Sequence, residues 1–249
     1  MNIIFQGFVH PFLGVITGIL IVLGTETVGK ILIKKINKSF FFLNLVLGVI
    51  IISLSAYIFV IIGVSKYLNQ LLSYLLIFLG LSNLRSSVKI FEFYKKNNLE
   101  SFILILILFL FFILSITAPT MADALDYHLG VAKFINLNHQ FPDSNMWLHS
   151  TLHGLGEVYI SIGLHVYSDT LGSLVQFFAL ISFLNFFSKE INDQKKFFIF
   201  SLFILSSPVL IFLLSGAKFQ VLPQLISTLV FYFLIKDKKI EYSLFAILL

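Results

Sequence analysis

Two carboxylates with helical spacing stand at the start of the longest polar segment of the chain. Asp123 and Asp126 follow Pro119, which ends an apolar run, and Thr120 with Asp123 has the spacing of a helix-capping box. The polar stripe of such a helix would contain Asp123, Asp126, Gly130, Lys133 and Asn136. A carboxylate held just above a bilayer could accept the proton of an incoming hydroxyl. The alternative is structural, with Asp123 as a capping residue and Asp126 as a solvated acid.

Three further polar residues recur every four positions. On a helix His149, His153 and Glu157 would share one face, and imidazole with carboxylate is a ligand set for a divalent metal ion. Simple solvation of the three side chains is the alternative, and the sequence identifies no other cofactor. The stretch 155–167 is too short to cross a bilayer. It predicts a second amphipathic helix at the membrane surface.

The composition places these segments in a membrane protein. Of the 249 residues, 58% are hydrophobic and 12% are charged, whereas soluble domains have roughly 45–50% apolar and about 25% charged residues. So few charges could not cover the apolar surface of a soluble fold of this length. The chain has no cysteine, which excludes disulfides, thiolate metal sites and cysteine nucleophiles. The net charge of +5 reflects membrane topology, and no nucleic-acid partner is expected.

Seven apolar stretches approach the roughly 20 residues that a helix needs to cross the hydrocarbon core. They are residues 3–24, 41–64, 67–84, 101–118, 171–188, 197–215 and 219–235, and an eighth begins near Tyr242. No stretch alternates with the period of two that barrel strands require. The sequence therefore predicts an all-α, polytopic transmembrane helix bundle. Four helices lie in 1–118, a long connection with interfacial amphipathic helices in 119–170, and further helices in 171–249, where an unanchored apolar end indicates a truncated chain.

Basic residues alternate between the connections. Fourteen of the 17 Lys and Arg residues lie in the connections 25–40, 85–100, 189–196 and 236–241, and the others are Lys66, Lys133 and Lys218. Because cytoplasmic connections carry the excess of Lys and Arg, we expect the N-terminus and residues 119–170 outside the cytoplasm. The predicted location is a bacterial cytoplasmic (inner) membrane, crossed several times.

At these residues the chain resembles the GT-C superfamily of membrane glycosyltransferases, and within it the protein O-mannosyltransferases and the aminoarabinose transferases. In that branch an extracytoplasmic loop carries an Asp followed four residues later by a Tyr, as Asp123 and Tyr127 are here. The segment 157–167 is similar to the branch's aromatic amphipathic segment, and 207–220 resembles its later outer turn. The resemblance covers about 119–235. In the superfamily this loop follows the first span, whereas here three extra spans come before it. Gln220 stands where a second acid is expected.

The resemblance implies an enzyme that moves a sugar from a polyprenyl-phosphate carrier to a lipid, glycan or protein acceptor, with inversion at the anomeric carbon. Asp123 would be the base, with Asp126 beside it, and Lys218 would hold the phosphate of the carrier as a point charge. Substrate binding would involve Tyr127, His128, Glu157, Lys218 and Gln220. Membrane lipid would surround the whole bundle.

Two other classes of function stay open at this point. A multi-span transporter would need ionisable residues at mid-depth, and the predicted spans contain almost none. A metal-dependent membrane hydrolase or ligase would use the face shared by His149, His153 and Glu157.

Overall fold

The fold is described from a computed structural model that covers residues 3–33, 41–87, 99–119, 122, 124–143, 145, 154–216 and 218–236. These residues form helices and turns and contain no strand, which confirms the all-α prediction for this part of the chain. The helices are α1 (Ile3–Ile33), α2 (Phe41–Ile61), α3 (Ser65–Ser87), α4 (Leu99–Ile116), α5 (Leu129–Asn138), α6 (Leu155–Leu164), α7 (Leu171–Glu190), α8 (Gln194–Leu205), α9 (Pro208–Leu214) and α10 (Val221–Ile235).

Five of these helices contain a stretch that is long and apolar enough to cross a membrane. The stretches are Pro11–Ile33, Phe41–Ile61, Ser65–Leu84, Leu99–Ile116 and Leu171–Glu190. Helices α8 and α9 count as a sixth if they are taken together, but they are bent by 66°. The bend follows from Pro208, which removes a backbone donor and disfavours helix at the residue before it. The stretch predicted over 197–215 therefore consists of two helices that together count as one bent span.

The first apolar helix extends beyond residue 24, where the predicted span 3–24 ends, since α1 continues to Ile33. The stretch Pro11–Ile33 is apolar enough to cross a membrane, because the polar residues near position 25 find partners inside the bundle. Thr25 shares a 2.6 Å hydrogen bond with the Tyr159 hydroxyl of α6. A polar residue that is satisfied by a neighbouring helix does not end a span.

Glu26 is an acid buried inside this first span. Its Oε1 atom accepts a 2.7 Å hydrogen bond from Asn44 of α2, and its Oε2 atom accepts one of 2.7 Å from Asn83 of α3. The expectation that the spans contain almost no ionisable residue missed this acid, since the sequence places Glu26 in a connection. The carboxylate joins α1, α2 and α3.

Glycines let the same three helices approach closely. A Cβ atom on Gly24 of α1 would lie 2.0 Å from the Leu76 carbonyl oxygen of α3, and one on Gly80 of α3 would lie 2.1 Å from the Leu20 carbonyl oxygen of α1. Small residues at such crossings are the usual means by which membrane helices pack. The three leading helices thus form one packed unit with the rest of the bundle, because α6 lies against them.

Helix α6 is buried among the other helices from Glu157 to Gly163, so the expected amphipathic helix with one face toward water is wrong for this segment. The Tyr159 side chain has no exposed surface, and Ser73 of α3 donates a 2.8 Å hydrogen bond to the Ile162 carbonyl. With only ten residues, α6 is too short to cross a membrane. The sequence was misleading because its polar side chains bind neighbouring helices instead of water. The buried residues are Glu157, Val158, Tyr159, Ile160, Ser161, Ile162 and Gly163.

Candidate functional site

A π-helical turn at Ala124–His128 leads into α5. Thr120 and Asp123, the predicted start of this helix, lie outside the described residues, so the role of Asp123 stays a prediction. A π-turn accommodates one extra residue, which offsets the preceding side chains by about 100° from the α-helical register. Asp126 is exposed and does not line the cavity that Gly130, Lys133 and Asn136 reach. The predicted polar stripe is thus continuous only from Gly130 onwards.

His128 and Glu157 form a buried pair between the π-turn and α6. The Nδ1 atom of His128 lies 2.5 Å from the Oε1 atom of Glu157, and their residues are 6% and 7% exposed. The second carboxylate oxygen, Oε2, accepts a 2.7 Å hydrogen bond from the Gly154 N–H. The ring centroid of Tyr127 lies 3.8 Å from that of His128. Three of the predicted binding residues are therefore in direct contact.

The electrostatics of this pair follow from its partners. Burial raises the pKa of Glu157, but the hydrogen bonds from His128, from its own backbone N–H and from Gly154, with the charge of His128, outweigh burial and lower the pKa overall. Burial, and then the charge of Glu157, raise the pKa of Tyr127. An ionised Glu157 only accepts hydrogen bonds, so Nδ1 of His128 carries the proton. The Nε2 atom is buried and has no hydrogen-bond partner among the described residues.

Lys218 and Gln220 lie in the turn between α9 and α10, which Gln176 of α7 holds in place. The Oε1 atom of Gln176 accepts hydrogen bonds from the N–H groups of Gln220 at 3.1 Å and Val221 at 2.8 Å. Its Nε2 atom donates to the Gly216 carbonyl at 3.3 Å. Lys218 is only 5% exposed, so its ammonium group does not extend freely to the surface.

The same turn reaches the start of α6. The Phe219 ring packs against Gly156, where a Cβ atom would lie 3.2 Å from Cδ2 of Phe219, and its centroid is 5.5 Å from that of Tyr159. Gly156 precedes Glu157 in α6. The turn that carries Lys218 is thus adjacent to the His128–Glu157 pair, although sequence separation gives no sign of this neighbourhood.

The predicted metal face is not described as a whole, because His149 and His153 lie outside the described residues. Within the part of the chain that the structure covers, no group of three or more His, Asp or Glu side chains could hold a metal ion. Glu157 binds His128 instead.

An open cavity of about 1140 Å³ lies where α4 ends and α7 begins. Its apolar wall includes Val15 of α1, Ile116 of α4 and Leu129 of α5. The polar side chains that line it are Lys133, Asn136, Asp169 and Thr170. Asp169 and Thr170 were not predicted as site residues, because nothing in their spacing relates them to α5.

A second, apolar cavity of about 370 Å³ lies one helical turn further along the same two helices. Its wall includes Ile19 of α1 and Phe112 of α4, each four residues from Val15 or Ile116 and hence about 6 Å along its helix. Phe177 and Phe178 of α7 close the other side. Together the two cavities offer a polar end and an apolar end.

Comparison with protein families places the chain. Residues 4–247 match the DUF1420 N-terminal domain. The chain belongs to the DUF1420 family. No curated protein and no solved structure matches it.

The segment that carries Asp169 in this DUF1420 chain is held rigidly by α1. Thr17 donates a 2.9 Å hydrogen bond to the Val166 carbonyl, and a Cβ atom on Gly14 would lie 2.2 Å from the Tyr167 carbonyl oxygen. The Asp169 side chain is exposed to the open cavity, and its partial burial raises its pKa against the hydrogen bonds from the backbone N–H groups of Asp169 and Thr170, which lower it. The cavity thus combines a fixed carboxyl group, a hydroxyl, an amide and an ammonium group, which suits a ligand with a phosphate and hydroxyls.

Proposed function

We propose that the protein is an integral membrane glycosyltransferase. It would move a sugar from a polyprenyl-phosphate carrier to a lipid, glycan or protein acceptor on the extracytoplasmic face of a bacterial inner membrane. The observation that carries the proposal is the pair of neighbouring cavities, one with polar side chains at the end of the bundle and one apolar along α1 and α4. A polar cavity next to an apolar cavity suits a lipid with a polar headgroup and an apolar chain.

The charged residues support the same ligand. Lys133 is exposed at the cavity and could hold a phosphate as a point charge. Lys218, in the turn beside α6, is the predicted second cation for the leaving phosphate. Asp123 and Asp126 stay the predicted bases, with Asp123 favoured by its spacing to Tyr127. Tyr127, His128, Glu157 and Gln220 would contribute to substrate binding around them.

The membrane orientation is part of the proposal. The end of α4, the π-turn, α5 and the start of α7 belong to connections with few basic residues, whereas the alternate connections carry most of the Lys and Arg. By the distribution of positive charge the cavity would face outward. A carrier lipid in the outer leaflet could then enter between α1 and α4.

The test is transfer from a defined donor. The full-length protein, purified in detergent and returned to lipid nanodiscs, is incubated with polyprenyl phosphate that bears a radiolabelled sugar, and with membrane lipids from the native host as acceptors. We expect labelled product from the wild type, and a loss of about 10²–10⁴-fold for Asp123→Asn. A chelator should leave the rate unchanged. Absence of transfer from every sugar offered, or a rate abolished by the chelator, would contradict this function.

A transporter is the second candidate, because Glu26 is an acid inside the first apolar span. Both oxygens of Glu26 already accept hydrogen bonds from Asn44 and Asn83, which favours a contact between helices over a transport site. Solute uptake into proteoliposomes that Glu26→Gln abolishes would favour the transporter.

A further inference from the structure

The polar end of the large cavity has two walls of different chemistry, and we propose that they bind different parts of one headgroup. Asp169 and Thr170, at the start of α7, bind hydroxyl groups of the sugar, and Lys133 of α5 binds the phosphate that bears it. This assignment rests on the proposed function, since it names the part of the lipid-linked sugar that each wall recognises. It concerns recognition and leaves the transfer step to other residues.

Thr170 carries the first argument. It is 4% exposed, it lines the cavity, and its Oγ1 atom has no hydrogen-bond partner within the part of the chain that is described. Thr is a preferred capping residue, yet the Thr170 side chain makes no capping hydrogen bond to α7. A buried hydroxyl that serves neither the helix nor a neighbour needs another partner, and we assign that role to a ligand in the cavity.

Asp169 carries the second argument. Its carboxyl group lines the same cavity, next to the residues that α1 fixes through Thr17 and Gly14. Tyr167 holds a left-handed backbone conformation with φ 65°, so the chain makes a defined turn just before the acid. A carboxylate accepts hydrogen bonds from hydroxyl groups but repels an anion. Asp169 therefore selects the hydroxyl-bearing part of the ligand.

Lys133 supplies the complementary charge. Its side chain is exposed, and no ion pair or side-chain hydrogen bond involves it in the portion that the structure describes. An ammonium group on α5 and a carboxyl group at the start of α7 would orient a headgroup with its phosphate toward one wall and its hydroxyls toward the other. The apolar cavity beyond Val15 and Ile116 then receives the lipid chain.

The experiment compares two lipids that differ only in the sugar. Binding of polyprenyl phosphate and of polyprenyl phosphate glucose or mannose to the full-length protein in nanodiscs is measured by native mass spectrometry or by tritium-labelled ligand. The wild type should bind a sugar-bearing lipid more tightly than the bare phosphate. Asp169→Asn and Thr170→Val should weaken binding of the sugar-bearing lipid about ten- to hundredfold and leave binding of bare polyprenyl phosphate unchanged. Lys133→Ala should weaken binding of both lipids, whereas the control Asp143→Asn should change binding of neither.

The outcomes separate this inference from the proposed function. If the wild type transfers sugar, but Asp169→Asn binds each of the two lipids as tightly as the wild type does, the inference is overturned and the function stays intact. If Asp169→Asn and Thr170→Val selectively lose binding of the sugar-bearing lipid, but the wild type transfers no sugar, the inference is supported and the function is overturned. Equally tight binding of phosphatidylglycerol, with the same sensitivity to Asp169→Asn, would assign the cavity to a phospholipid and overturn the inference. Unfolding temperatures of all variants confirm that a loss is not misfolding.

Discussion

The Nδ1 atom of His128 lies 2.5 Å from the Oε1 atom of Glu157, and both residues are buried. This contact joins the π-turn near the start of the polar segment 119–170 to the first turn of α6, 29 positions further on. Because α6 packs against α1 and α3 through Tyr159 and Ile162, the pair ties the wall of the cavity to the core of the bundle.

His128→Leu should destabilise the protein by about 3 kcal/mol, because it leaves the buried Glu157 carboxylate without its main partner. His128→Asn should cost much less, since the Asn amide can still donate to Glu157 Oε1. The measurement is the free energy of unfolding in detergent micelles. Asp143→Ala is the control for an exposed residue. Equal losses in the Leu and Asn variants would show that this hydrogen bond does not support the fold.

The pKa of Glu157 predicts a dependence of stability on pH. Its folded-state pKa lies below the ordinary value of 4.5, so the pair contributes stability that is fully present above pH 4.5 and is lost as the pH falls through the folded-state pKa. The difference in unfolding temperature between the wild type and Glu157→Ala should therefore shrink as the pH falls below 4.5. A difference in unfolding temperature that is unchanged at low pH would contradict an ionised Glu157 in the folded state.

The pKa of Asp169 predicts a dependence of stability on pH with the opposite sign. Partial burial raises its folded-state pKa above the ordinary value of 3.8, although the side chain stays exposed to the open cavity. The protonated form therefore favours folding by a small amount, and this contribution is lost as the pH rises through the folded-state pKa. Asp169→Asn should then unfold at a higher temperature than the wild type at pH 7, with the difference vanishing at acid pH. A site residue kept at a cost in stability is typical of binding sites. A lower unfolding temperature of Asp169→Asn at pH 7 would indicate a structural role.

The all-α class and most of the apolar spans could be predicted, because composition and run length decide them locally. The continuation of the first span beyond residue 24 could not, because Thr25 and Glu26 are polar in the sequence. Their hydrogen-bond partners Tyr159, Asn44 and Asn83 come from other helices. The burial of α6 depends on the same long-range contacts. A helix with polar side chains satisfied inside the bundle has the sequence of a helix that faces water.

The candidate site was partly predictable. Tyr127, His128 and Glu157 were identified individually as binding residues, yet their contact depends on a π-turn that no spacing rule predicts. Asp169 could not be identified from the sequence, since the cavity that it lines is built from the ends of α1, α4, α5 and α7. Sequence spacing relates residues within one helix, and it cannot relate the ends of four.

Lys218 provides the last prediction, which concerns the turn between α9 and α10. Its ammonium group is buried, whereas Lys66 is exposed at the start of α3. If Lys218 stabilises the charge of the leaving phosphate, Lys218→Met should lower transfer from the lipid-linked donor at least about tenfold, because Met fills a similar volume without the charge. Lys218→Arg should keep part of the rate, and Lys66→Met should keep all of it.

A structural role of Lys218 would give a different pattern. Gln176 fixes the backbone of the same turn through Gln220 and Val221, so Gln176→Leu should disturb the position of Lys218 and lower both stability and transfer, with about 1–3 kcal/mol lost for each buried N–H left without an acceptor. Lys218→Met should lower transfer alone. If it lowers the unfolding temperature as Gln176→Leu does and leaves the transfer rate per folded molecule unchanged, Lys218 supports the turn and takes no part in the reaction.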